Sequence, residues 1–410
     1  MIGQQEEVVS WTKRLRDVIL VYGLLFVSGS HIYNQSQNEF LISMFVFSVL
    51  AWFVFSDRKI NDRFVFYVCI FTGFLLLIHL YTDKSLSFLS VLGTSMKLLI
   101  AYFILKTVGK NFLEVYIKVV VFLAVISLFG YLSDRFLLFD GVITQLPRVG
   151  ELGYEGIFYL FRFQEHIDRN NSIFFEPGAY QILLNAALFM LFFARTKFSP
   201  RRKWVYILTL SVTLLTTFST TGFMIFGALV SLVMVKSSVI SNKGKLILIG
   251  MVVLAVVVFS VQFQSVMIEK INDYMKIEEV VDSRNMRSFD ILVDLEVFKK
   301  HIFGAGYEKY LEEVSAIGLV EDKHGSSNGV TRTFAIYGLP FSLFLFTSYY
   351  WFFRKFFRGM LLRVVPFGML LIFLFSESYY VFTPFSMAII SAIFVYDRLA
   401  EDDNYGVSRL

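Results

Sequence analysis

Apolar residues in this chain come in continuous runs, and polar residues are gathered between them. Runs of roughly 15 to 22 residues match the roughly 20-residue helix needed to cross a hydrocarbon core. The pattern predicts about twelve transmembrane helices, near 17–33, 40–55, 64–81, 86–105, 112–133, 176–194, 204–218, 220–235, 246–261, 332–353, 361–376 and 383–396. Because the runs do not alternate, they predict helices and not a barrel. The fold class expected is therefore an all-α polytopic membrane protein. Two polar stretches interrupt it, 134–175 and 261–331. No internal repeat or low-complexity linker divides the chain, so 1–410 reads as a single integral membrane domain.

Composition agrees with that pattern. Hydrophobic residues make up 56% and charged residues only 17%, against about a quarter charged in soluble domains. The acidic start, Met1 to Glu7, has no small-residue cleavage site after the first apolar run, so that run is expected to stay in the membrane. The net charge of +5 matters less than where the cations sit. Basic residues cluster at Lys13-Arg14-Leu15-Arg16, Arg58-Lys59, Lys106 to Lys110, Arg195 to Lys203, Lys236 to Lys245 and Arg354 to Arg363, while the alternate connections carry almost none beyond Lys84. By the positive-inside rule both termini are cytoplasmic and both long loops face outward. The lone Cys69 excludes intramolecular disulfides and cysteine metal clusters, and reads as a small buried hydrophobe. Two cations fall within spans: Lys118 is near enough to a cytoplasmic end to snorkel, whereas Lys97 is deeper and either neutralises a carboxylate or a bound anion or makes a structural pairing.

The candidate chemistry lies in the long loops. There is no Walker loop, no dinucleotide-binding glycine fingerprint, no Gly-x-Ser-x-Gly elbow and no histidine pair at metal spacing, so neither cofactor nor metal is expected. What remains is Arg162 and Arg169 in the first loop, and Arg284, Arg287, His301 and His324 in the second. Guanidinium groups present planar donor pairs that fit phosphate oxygens. The arginines form either a diphosphate clamp or ordinary salt bridges, such as Arg169 to Asp168 or Arg287 to Asp290. His324 is either a general base, since a histidine can take a proton at neutral pH, or an ordinary loop histidine. Glu176-Pro177-Gly178 starts the sixth span, with Glu176 either serving the helix dipole or a substrate. The turn Thr216-Thr217-Phe218-Ser219-Thr220-Thr221-Gly222 either binds a phosphate or sugar or satisfies its own helix backbone. The rings of the first loop either face sugars and isoprenoid or lie in the interfacial belt.

Three segments resemble those of bacterial O-antigen polymerases and ligases, the Wzy-like membrane glycosyltransferases. Arg169-Asn170-Asn171-Ser172-Ile173-Phe174-Phe175-Glu176-Pro177-Gly178 is similar to the family's Arg-x-x-Ser/Gly-x-Phe-x-Glu-Pro segment. Ser283-Arg284 through Arg287 to Gly304-Ala305-Gly306 resembles its arginine, amphipathic helix and Gly-x-Gly turn. His324-Gly325-Ser326-Ser327-Asn328, followed by Tyr337-Gly338-Leu339, resembles its histidine-to-glycine entry into the next span. The chain departs from the family in having His301-Ile302-Phe303 where proline is common, and in the Gly-Ser-Ser after His324.

The resemblance implies a GT-C-like fold and transfer of an oligosaccharide repeat unit from undecaprenyl diphosphate to the next lipid-linked unit, as in O-antigen and lipopolysaccharide biosynthesis. It implies Arg169 with Arg287 or Arg284 on the donor diphosphate and His324 on the attacking hydroxyl. Arg162, Glu176, Ser326 and Asn328 are the expected substrate contacts. Its implied partners are lipid-linked oligosaccharides, membrane lipids and a chain-length-regulating co-polymerase, with no nucleic acid. The competing expectations are an O-antigen ligase acting on lipid A core and a lipid-linked oligosaccharide flippase.

Overall fold

A computed structural model describes residues 2–83, 85–136, 138, 154–156, 162–163, 168–236, 243–253, 287–316 and 326–396. Arg284, His324 and most of both long loops lie outside these residues. A helix coincides with each of the twelve expected spans, the ninth over 243–253 only. Five stretches are long and apolar enough to cross a membrane: Gln37–Phe55, Asp62–Tyr81, Phe88–Arg135, Gly329–Phe356 and Ser378–Val395. Pro177–Phe193, Thr220–Lys236 and Met360–Ser376 are apolar but shorter. The chain is a helical membrane protein.

In chain order the helices are α1 (Ile2–Phe26), α2 (His31–Gln35), α3 (Gln37–Phe55), α4 (Asp62–Tyr81), α5 (Phe88–Val108), α6 (Phe112–Arg135), α7 (Pro177–Phe193), α8 (Pro200–Thr216), α9 (Thr220–Lys236) and α10 (243–253). They continue as α11 (Arg287–Lys300), α12 (Tyr307–Ala316), α13 (Gly329–Phe356), α14 (Met360–Ser376) and α15 (Pro384–Val395). Within the first loop β1 (Tyr154–Glu155) pairs antiparallel with β2 (Arg162–Phe163). The packing forms two compact units. One comprises Met1–Asp62, Met96–Val239 and Phe382–Leu410; the other comprises Arg63–Ser95 and Ile240–Val381.

In the first unit α6 packs on α1, α7 and α8, and α7 packs on α8 and α9. Local chemistry starts these helices where the sequence suggests. Pro177 and Pro200 occupy the first helical turn, where the missing N–H costs nothing, and Ser199 Oγ accepts from Arg202 N. The first helix differs from its expected span, because it begins at Ile2 and stops at Phe26. Ser30 then caps α2 by accepting from Tyr33 N (3.1 Å), while His31 N donates to Ile173 O (2.9 Å) and Phe175 N to Gly29 O (3.1 Å). These long-range bonds draw residues 29–31 into a β-bridge with Phe174. Lys118 is exposed, with its ammonium 5.8 Å from the Phe198 ring in the connection expected to be cytoplasmic. Lys97 is half-buried and has no ion-pair partner among the described residues.

In the second unit α13 packs against α11, α12 and α14. Its core joins Val293, Val297, Ala305, Tyr310, Val314, Ala335 and Ile336. The 293/297 and 310/314 spacings put each pair on one face of its helix. Helix α13 is broken at Gly338, whose φ is 76°. Pro340 follows and has no N–H to give a helix; the N–H of Leu339 turns instead to Ile302 O (2.8 Å). Cys69 corrects its sequence reading: it lies on an exposed face of the apolar helix α4.

Candidate active site

Helix α11 carries Asp290 and Asp294 four residues apart, so both belong to one face, and Arg287 stands one turn earlier in the same register. Asp290 Oδ2 accepts from Ser327 N (2.8 Å) and from Ser327 Oγ (2.7 Å). Asp294, fully buried, accepts at Oδ1 from Tyr310 Oη (2.8 Å) and at Oδ2 from Thr331 Oγ1. The Tyr310 hydroxyl in turn accepts from Ser326 N (3.0 Å). Thus two carboxylates from one helix and a tyrosine from α12 hold the turn at Ser326 and Ser327, which begins two residues beyond His324 in the sequence. Burial pushes the Asp294 carboxyl up to about 6, with the Thr331, Tyr310 and Ser326 donors opposing that rise and Asp290 adding to it. Burial, reinforced by Asp294, also raises the Tyr310 phenol, so it stays a donor.

Ser326 and Asn328 sit inside this turn. Ser326 Oγ accepts from Asn328 N (3.0 Å), and Asn328 Oδ1 caps α13 by accepting from Val330 N (3.0 Å) and Thr331 N (3.2 Å). Both are buried, and these bonds are internal. Asn328 Nδ2 has no partner among the described residues. One turn into α13, Arg332 Nη1 donates to Ser326 O (3.2 Å) and to Ser378 Oγ (3.4 Å). His301 ends α11 beside Glu313, 3.4 Å away, which also pairs with Lys300 at 2.7 Å. The expected Gly-x-Gly turn is bonded to the break in α13: Ala305 N donates to Ala335 O and Gly306 N to Ile336 O, both at 3.0 Å.

The first unit holds Arg169 and Glu176. Arg169 Nε donates to Thr217 O (3.1 Å), and Asn170 N to Thr216 O (2.9 Å), so this segment is tied to the hydroxyl-rich turn. Asn170 Nδ2 also reaches Ser127 Oγ (3.2 Å) and Thr216 Oγ1 (3.0 Å). The hydroxyls of Thr216 and Thr217 bond Thr213 O and Leu214 O of their own helix, the architectural alternative for that turn. Ser172 has a φ of 52°, a left-handed conformation that its neighbours must hold in place. Asp168 pairs with Arg135 (2.6 Å). Glu176 is the backbone cap of α7, and among the described residues its half-buried carboxylate has no hydrogen-bond or ion-pair partner. Gln181 Nε2, Asn185 Oδ1 and Asn171 Oδ1 are buried without described partners in the same unit.

The expected site residues therefore divide between the units. Arg169 and Glu176 belong to the first; Arg287, Ser326 and Asn328 belong to the second. Arg162 lies in β2 and Arg287 opens α11, while Arg284 and His324 fall outside the described residues. Sequence reading passed over Asp294, Tyr310 and Arg332. The i, i+4 acidic pair beginning three residues after Arg287 was the available signal for the first. No group of three or more His, Cys, Asp or Glu side chains that could hold a metal ion occurs among the described residues. No protein-family model matches this chain, and no curated protein and no solved structure matches it either.

Proposed function

We propose that this chain is a membrane glycosyltransferase that polymerises undecaprenyl-diphosphate-linked oligosaccharide repeat units on the outer face of a bacterial inner membrane. What supports the reading is one observation: the helix opened by Arg287 and the turn that follows His324 are a single hydrogen-bonded assembly, held through Asp290, Asp294 and Tyr310. That assembly joins the helix that Arg287 opens to a turn whose first described residue, Ser326, is two positions beyond His324 in the sequence. Catalytic groups are most effective when carried on rigid, packed elements.

In the proposed reaction a sugar hydroxyl of the acceptor attacks the anomeric carbon of the donor. The new glycosidic C–O bond forms as the bond from that carbon to the phosphate oxygen breaks. His324 takes the hydroxyl proton, and undecaprenyl diphosphate leaves with the bonding electron pair. Arg287 or Arg284 stabilises the charge growing on the diphosphate, which is typically worth about 3 kcal/mol, on the order of a hundredfold in rate. Arg169 is a further candidate for a diphosphate contact. Cytoplasmic termini, periplasmic loops and partnership with a chain-length-regulating co-polymerase belong to the same proposal.

The test is deletion of the gene, followed by inspection of lipid-linked and surface glycans. Single repeats on the final acceptor support a polymerase. Long chains left on undecaprenyl diphosphate point to a ligase, and single units trapped on the cytoplasmic side point to a flippase; either overturns the reading. Complementation with Arg169→Ala, Arg287→Ala and His324→Ala, each checked for membrane insertion, then assigns the roles. Normal polymer from all three removes the mechanism.

A further inference from the structure

Arg332 is held, and among the described residues no ion pair neutralises it. Its Cζ lies 5.6 Å from the ring centroid of Tyr307 and 5.8 Å from that of Tyr310. Nη1 is tethered by Ser326 O and Ser378 Oγ. A guanidinium has five N–H donors, and Nε and Nη2 donate to no described residue. The side chain is half-buried, and among the described residues no carboxylate lies within ion-pair distance of it. The two acids of α11 that hold the neighbouring turn, Asp290 and Asp294, are committed to Ser327, Tyr310 and Thr331.

A partly desolvated cation over aromatic rings is stabilised by their quadrupoles, and its position is fixed in advance. The side of the fork bearing Nε and Nη2 matches two oxygens of one phosphate or carboxylate. Tethering Nη1 leaves that edge available, so an incoming anion would lose little further side-chain freedom. Tyr307, one of the two rings beside the guanidinium, is 38% exposed.

We propose that Arg332 is an oxyanion-binding residue for the lipid-linked substrate, engaging it through Nε and Nη2 beside the turn that follows His324. The proposal rests on the polymerase reading for the identity of the substrate. Two parts of such a molecule share the required chemistry: the diphosphate of the lipid carrier and the carboxylate of an acidic sugar.

The experiment uses the full-length protein in phosphatidylcholine nanodiscs. Binding of undecaprenyl diphosphate is measured against undecaprenol, with inorganic pyrophosphate and glucuronate as competitors, for wild type, Arg332→Gln and Arg332→Lys. Loss of a charge-assisted, two-bonded contact is expected to weaken anion binding on the order of tenfold to a hundredfold in Arg332→Gln, with part of the affinity kept by Arg332→Lys. Displacement by pyrophosphate alone assigns the contact to the diphosphate, and displacement by glucuronate alone assigns it to a sugar carboxylate. Wild-type affinity of Arg332→Gln for both anions overturns the proposal, whether or not that variant melts earlier. If Arg332→Gln is not recovered folded, Arg332→Lys carries the test, and unchanged affinity for both anions overturns it equally. Polymer synthesis is scored separately: no polymer from wild type, with the anion preference intact, rejects the polymerase reading and keeps the subsite.

Discussion

A fully buried carboxyl, hinted at in the chain only by an i, i+4 acidic pair, lies in the second unit. Asp294 is one polar position in an amphipathic helix when read along the sequence, and its burial comes from Tyr310 and Thr331, 16 and 37 residues further on. Hydrophobic periodicity ranks residues within a helix but does not say which distant hydroxyls will close over one of them. Burial pushes this carboxyl from 3.8 up to about 6. Because the folded value lies above the unfolded one, its contribution to stability is fully present below about pH 4 and is lost as the pH rises through about 6. A shift of about two units corresponds to roughly 3 kcal/mol. Denaturant melts of Asp294→Asn and wild type between pH 4 and 8 are therefore expected to diverge, the variant gaining on wild type up to about pH 6 and holding a constant offset above it. Parallel curves across that range would show that Asp294 does not titrate there. Tyr310→Phe removes both the donor to Asp294 and the acceptor of Ser326 N, leaving buried polar groups unpaired. A loss of about 1–3 kcal/mol is expected in the same melts, and a variant as stable as wild type would show that the hydroxyl does not hold the turn.

At the scale of elements, Gly304-Ala305-Gly306 and Tyr337-Gly338-Leu339 stood out through their resemblance to the family's Gly-x-Gly turn and its entry into the next span. Both were legible as local punctuation. Their pairing was not, since it is made by backbone groups that carry no residue signature: Ala305 and Gly306 donate to residues 335 and 336, and Leu339 donates back to Ile302. The glycines are what permit the contact. A Cβ on Gly338 would stand 2.2 Å from Phe303 C, at a φ of 76°; one on Gly304 would stand 2.7 Å from Ile336 O, at a φ of 102°. Gly359 supplies the comparison, with a φ of 90° but open space around the missing Cβ. Gly359→Ala is expected to cost only the backbone strain, about 1–3 kcal/mol. Gly338→Ala adds backbone overlap to that strain, and little monodisperse protein is expected from it in size-exclusion chromatography. Equal recovery of the two variants would mean that the break in α13 yields easily to a side chain.

Over the whole molecule, the grouping of apolar residues marked where helices form among the described residues, five stretches of them long and apolar enough to cross a membrane, because the cost of exposing backbone to lipid leaves helices as the solution for continuous runs. Orientation rests on a different signal, the placement of lysine and arginine, and it determines which chemistry is available to the loops. With Cys69 replaced by serine, single cysteines at exposed positions report the side directly. Asp83→Cys is expected to react with a membrane-impermeant maleimide in intact spheroplasts, whereas Lys110→Cys, Arg201→Cys and Arg358→Cys are expected to react only after lysis. The reverse pattern would place Arg287 and His324 in the cytoplasm, where nucleotide-activated sugars serve as donors. A glycosyltransferase there would have no need of a diphosphate carrier, and the long loops would have to be read again as a site for soluble substrates. Labelling from outside keeps the lipid-linked donor as the chemically economical choice, since it arrives at that surface already activated and leaves its diphosphate in the membrane.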